Sequence, residues 1–127
     1  MKNLNKLYWL KQEVKQIENQ IRELTILSAF EMSGMPSGNS VSSPVEQFYN
    51  RLDKLRTKLE RAKDKVVKET ERMETYIESV DDAEIRVLAR MRYLDCMKYE
   101  DIGEECHMDR RTVSRKLENY FGKETSK

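Results

Sequence analysis

Proline, cysteine and histidine are all scarce in this chain of 127 residues: two prolines, two cysteines and one histidine. Each scarcity excludes something. With two prolines and 37 % charged residues, the composition favours long, surface-rich helices over a β fold. Two cysteines, Cys96 and Cys106, cannot make a disulfide framework. Together with His107 they give three ligands at a spacing unlike any zinc site. They read as two small buried thiols, with a redox pair as the lesser alternative. No apolar run is long enough to span a membrane, and the opening MKNLNKLYWLKQE turns polar too soon for a secretory signal. A cytoplasmic location is the expectation. The formal net charge is +1, so any attraction to nucleic acid must come from a local patch.

What is present is helical periodicity. Leu7, Leu10, Val14, Ile17, Ile21 and Leu24 step by three and four, a heptad seam that Leu4 and Leu27 extend. This predicts a helix from about Asn3 to Phe30. The stretch EMSGMPSGNSVSSP then loses all period and reads as a loop over about 31–43. Its glycines are not followed by Gly-Lys-Ser/Thr, so it is no P-loop. Ser43-Pro44-Val45-Glu46 restarts a helix, with serine as cap, proline at the first position and glutamate closing a capping box. Val45, Phe48, Leu52, Leu55, Leu59, Ala62 and Val66 carry a second seam. It lapses at Glu69 and resumes at Met73, Tyr76 and Val80. Two heptad helices joined by a short loop suggest an antiparallel hairpin over residues 1–80. A homodimer through its seam is a hypothesis the pattern allows.

Asp81-Asp82-Ala83-Glu84 offers another capping box, with Asp81 as the cap. A third helix follows, its inner face at Ile85, Leu88, Ala89, Met91 or Arg92, and Leu94. Tyr99 to Cys106 can form two helical turns with Ile102 and Cys106 on one side. His107-Met108 is a turn and Asp109 an N-cap. Arg110 to Tyr120 forms the last helix, with Val113, Leu117 and Tyr120 or Phe121 inward. The residues 122–127 read as a flexible tail.

The last two helices have the layout of a helix-turn-helix: a small Gly103 where they cross, and apolar Ile102, Met108, Val113 and Leu117 locking their angle. In that reading the last helix enters the major groove of double-stranded DNA. Arg111 and Arg115, one turn apart, address guanine. Thr112 and Ser114 bond phosphates or bases, Arg110 joins them from the first turn, and Lys116 lies on a flank, towards backbone or solvent. From Arg110 to Lys116 there are four positive charges and no negative one, although Asp81–Lys127 as a whole carries ten Lys/Arg against eleven Asp/Glu. Charge is segregated: Glu100, Asp101, Glu104 and Glu105 fall on the preceding helix.

Over Ala83–Phe121, the residues EIRVLARMRYLD and YEDIGEECHMDRRTVSRKLENYF resemble region four of bacterial sigma factors. Family members carry an acidic pair, Ile-Ala, a small apolar turn, a serine cap and Arg-x-Thr-Val. Here Glu100-Asp101, Ile102-Gly103, Cys106-His107-Met108, Asp109 and Arg110-Arg111-Thr112-Val113 stand in those places. With the helical half and loop before it, the chain resembles small phage and prophage regulators of the ArpU/RinA-like group. The resemblance implies a DNA-binding transcriptional regulator. Two positions depart from the pattern. His107 replaces the usual turn glycine, where a left-handed backbone is needed, and Lys98 replaces a Ser or Thr cap. Nothing resembles sigma region two.

The fold expected is therefore all-α: a long heptad hairpin (1–80), a helix-turn-helix module (81–121) and a tail. The alternative function is an interaction protein, whose hairpin and last module bind RNA polymerase or another phage protein without reading DNA. An enzyme is not expected. The lone histidine sits in a turn, Asp81-Asp82 and Glu104-Glu105 are explained by capping and by a wet helix face, and no strand builds a dry cleft. No cofactor, metal or small-molecule substrate is implied.

Overall fold

The computed structural model describes residues 4–34 and 44–122. Among them there is no strand, and five helices follow one another: α1 Lys6–Gly34, α2 Pro44–Glu78, α3 Ala83–Ala89, α4 Tyr99–Cys106 and α5 Arg110–Phe121. α1 runs past the expected end at Phe30, and 31–34, expected in the loop, are helical. Ala29 to Ser33 contain no breaker, and the first glycine is Gly34 itself, so nothing stops propagation earlier. Ser43, the expected cap of α2, lies outside the described residues. Pro44 does hold the first helical position, where its missing N–H costs nothing. Thr25, Thr57, Thr70 and Thr75 each turn their hydroxyl onto the carbonyl four residues earlier, so they satisfy themselves without leaving the helix.

The chain forms two compact units. One is continuous in sequence, from Lys11 to Lys65. Its least exposed positions on α1 include the predicted seam: Val14, Ile17, Ile21 and Leu24 are half-buried. On α2 the same holds for Phe48, Leu55, Leu59 and Ala62, and Leu52 is fully buried. Ile26, Leu27, Val45 and Tyr49 stay exposed.

The other unit joins the start of the chain, to Leu10, with everything from Val66 onward. It has the deeper core: Leu4, Leu7, Met73, Ile77, Val80, Ile85, Leu88, Ala89, Tyr93, Leu94, Ile102, Val113, Leu117 and Phe121. This core reaches back past Asp81 to the first turn of α1 and the last turns of α2. Tyr93 meets the Phe121 ring edge-on at 5.8 Å, and Tyr76 flanks the same ring at 6.0 Å. At the lapse in the second seam, Glu69 is only 5 % exposed. Packing continues through it. Arg72 grips the carboxylate with two nitrogens, one turn along, and Lys6 stands 3.9 Å away. A buried carboxylate needs such partners. The hydrogen bond to Glu69 in turn holds the Arg72 guanidinium protonated more firmly than usual, against the opposing effect of burial.

α3 starts one residue later than its sequence suggests. Asp82, not Asp81, is the cap: its carboxylate accepts from the Glu84 and Ile85 amides at 2.9 and 3.4 Å. The helix begins at Ala83, and this leaves Asp82 in the extended conformation a cap requires. Glu84 closes no capping box. At its far end α3 widens into a π-helical turn, Arg90–Leu94, closed by the Asp95 amide on the Arg90 carbonyl at 2.9 Å. The extra residue breaks the 3.6 period. Tyr93 and Leu94 are thereby buried together, while Met91 and Arg92 are only half-buried.

Candidate functional site

α4 and α5 pack against each other through a turn of two non-helical residues and a cap. His107 takes the left-handed conformation, φ 56° and ψ 46°, the backbone expected at this turn, where it stands in place of the usual glycine. The Gly103 carbonyl accepts from the Met108 amide at 2.8 Å and from the His107 amide, so the end of α4 is satisfied by the turn. Gly103 is obligatory for this approach. A Cβ there would lie 2.4 Å from the Met108 carbonyl oxygen and 3.3 Å from the Arg110 nitrogen. Asp109 caps α5, its carboxylate accepting from the Arg111 amide at 3.3 Å and its carbonyl from the Thr112 and Val113 amides. Lys98 makes no side-chain cap for α4, in line with the departure noted at that position.

Three inward residues fix how α5 is turned. Val113, Leu117 and Phe121 are buried, which resolves the choice at the helix end in favour of Phe121; Tyr120 is exposed. With roughly 100° between successive residues, Arg111 and Arg115 then point opposite the core. Arg110, Arg111, Ser114 and Arg115 line one shallow open groove, together with Tyr99 from the start of α4 and Glu118. The Ser114 hydroxyl stands 3.4 Å from a Glu118 carboxylate oxygen. Thr112 is half-buried and not part of that groove lining. Among the described residues, the guanidinium groups of Arg110, Arg111 and Arg115 have no hydrogen-bond or ion-pair partner.

Lys116 is placed differently. It lies on the flank of α5 opposite Ser114 and Glu118, and its ammonium donates to Glu84 of α3 at 2.6 Å. Two residues of this region escaped the sequence reading. Tyr99 contributes to the groove, and Arg92 stacks over its ring at 4.0 Å while donating to the Met97 carbonyl at 3.0 Å. Arg92 lies in the π turn and Tyr99 starts α4, so periodicity within one helix does not predict their contact. The contact exists because the π turn and a left-handed Cys96, φ 57°, fold the chain back between them.

Neither cysteine forms a disulfide, and both are half-buried rather than fully buried; Cys106 sulfur stands 3.7 Å from that of Met91. Among the described residues no group of His, Cys, Asp and Glu is arranged to hold a metal ion, and no helix is long and apolar enough to cross a membrane.

A family model matches residues 27–122, most of the chain, under the description protein of unknown function, DUF1492. The chain therefore belongs to the DUF1492 family. No curated protein and no solved structure matches it.

Proposed function

We propose, for this member of the DUF1492 family, that the chain is a sequence-specific double-stranded DNA-binding regulator of transcription, serving phage or prophage genes, with α5 read into the major groove as the second helix of a helix-turn-helix. One observation carries the reading. Among the described residues Arg110, Arg111 and Arg115 have no hydrogen-bond or ion-pair partner, and all three are exposed on the first half of a helix whose inward face is locked into the core. An unpaired guanidinium on a rigid helix keeps its bidentate donors for guanine or phosphate, and the fixed backbone removes much of the ordering cost of binding. Arg111 and Arg115 are the base-reading pair in this reading. Arg110 and Ser114 bind the flanking backbone, with Thr112 beside them. The likeness of this segment to sigma region four supports the same assignment.

In the same reading α1 and α2 fold back as an antiparallel hairpin whose heptad seams carry self-association, bringing two copies of α5 to neighbouring half-sites. The exposed Ile26, Leu27 and Tyr49 favour a second role for these helices, as a docking surface for RNA polymerase or another protein.

The test is recovery of genomic fragments by the wild-type protein and by Arg111→Ala/Arg115→Ala, followed by sequencing. Enrichment of a few sites by the wild type alone supports the reading. No enrichment by either protein at low salt removes it and leaves protein docking as the role of α5.

A further inference from the structure

Of the four cations between Arg110 and Lys116, one is already spent inside the protein. The Lys116 ammonium sits 2.6 Å from the Glu84 carboxylate, thirty-two residues earlier in the chain and on a different helix. Both partners are held from behind. Lys116 is flanked by buried Val113 and Leu117, and Glu84 lies in the first turn of α3, next to the Asp82 cap. The two side chains are 37 % and 45 % exposed. An ion pair so wet adds little to stability. Its larger effect is on the field at the surface of α5, because it cancels one charge beside Arg115.

We infer that Glu84 is a specificity-determining residue: it holds Lys116 off the phosphate backbone and so keeps the affinity of α5 for arbitrary DNA low. The inference rests on the DNA-binding role proposed above. Binding that ignores sequence grows with each phosphate a protein neutralises, whereas base readout does not. A protein with few base contacts gains discrimination by suppressing the first term, since genomic competitor sites vastly outnumber true ones. Lys116 has the reach to add a phosphate contact, being adjacent to Arg115 and carried on a flexible four-carbon stem. Glu84 removes that contact twice over, by pairing the ammonium and by placing a carboxylate on that flank.

The experiment measures the salt dependence of binding to a random-sequence duplex by fluorescence anisotropy, for the wild type, Glu84→Ala, Lys116→Gln and the double variant. Circular dichroism melting of each protein checks the fold. Releasing Lys116 adds one phosphate contact. Glu84→Ala is therefore expected to steepen the slope of log K against log salt by about 0.9 and to tighten nonspecific binding about eightfold at 0.1 M salt. Lys116→Gln alone leaves the wild-type slope, and the double variant returns to it. A slope unchanged in Glu84→Ala overturns the inference. So does a slope lowered by about one in Lys116→Gln, since Lys116 would then already touch phosphate. If the wild type binds no duplex even at low salt, the DNA-binding role itself falls, and the inference with it.

Discussion

The two units of this protein use leucine in opposite ways. On α1, Leu7 belongs to the unit completed by residues 66–122 and is fully buried; twenty residues along the same helix, in the unit of residues 11–65, Leu27 is 61 % exposed. The first unit closes a core from five chain segments. The second has a half-buried stripe, one fully buried leucine and apolar side chains left in water. On the proposed function the contrast separates tasks. A surface that reads DNA needs rigid backing, because a guanidinium loses its directional value on a mobile helix. An exposed apolar surface is what association with another chain uses.

The sharpest way to break the comparison is one substitution made twice. Leu7→Ala should cost about 2–5 kcal/mol in chemical denaturation, the usual range for a fully buried leucine, although Leu7 lies far in sequence from α5. Leu27→Ala should stay within about 0.5 kcal/mol; equal losses would mean that the two units do not differ in packing. Next in size is Gly103→Ala. The added methyl meets a backbone carbonyl that no rotamer change can move, and a loss of about 1–3 kcal/mol is expected from such overpacking. His107→Gly should act in the other direction, raising stability by up to about 1 kcal/mol in a thermal melt, because glycine takes the left-handed conformation without the Cβ clash. Smallest in stability is Arg111→Ala/Arg115→Ala, expected within about 0.5 kcal/mol of wild type while site preference in fragment recovery disappears. A large drop in stability there would make these arginines structural.

Legibility follows the range of the interaction that decides each feature. The cap at Asp109, the left-handed turn at His107, the close crossing at Gly103 and the inward pair Val113 and Leu117 are set within a few residues, and the sequence declares them. The π-helical turn is not declared. It inserts one residue into a 3.6-residue pattern, so periodicity does not predict the burial of Tyr93, and neither Met91 nor Arg92 takes the inward place. Either aspartate can cap α3 by sequence, and the capping-box spacing to Glu84 favours Asp81; in the fold Asp82 caps and that glutamate is engaged with Lys116. Glu69 reads as a lapse in the seam because periodicity scores hydrophobicity and cannot see Arg72 and Lys6 closing around a carboxylate. The outward arginines were legible from the inward residues. The pairing that sets Lys116 apart from them was not, since it joins side chains thirty-two positions apart through charge alone.

Leu4 and Leu7 have a further consequence, in time rather than in space. On the ribosome they emerge some seventy residues ahead of Met73 and Ile77, the α2 residues that share their core. Helices form locally within microseconds, but this core waits for synthesis to deliver α2 and then for a long segment to close on itself, an entropic cost set by the loop between the two contributions. Until then the two leucines are exposed at the start of a nascent helix, among the surfaces that draw chaperones or premature partners. The order of contacts along the chain makes assembly of the unit that carries α5 a late event, completed only after every helix has been made.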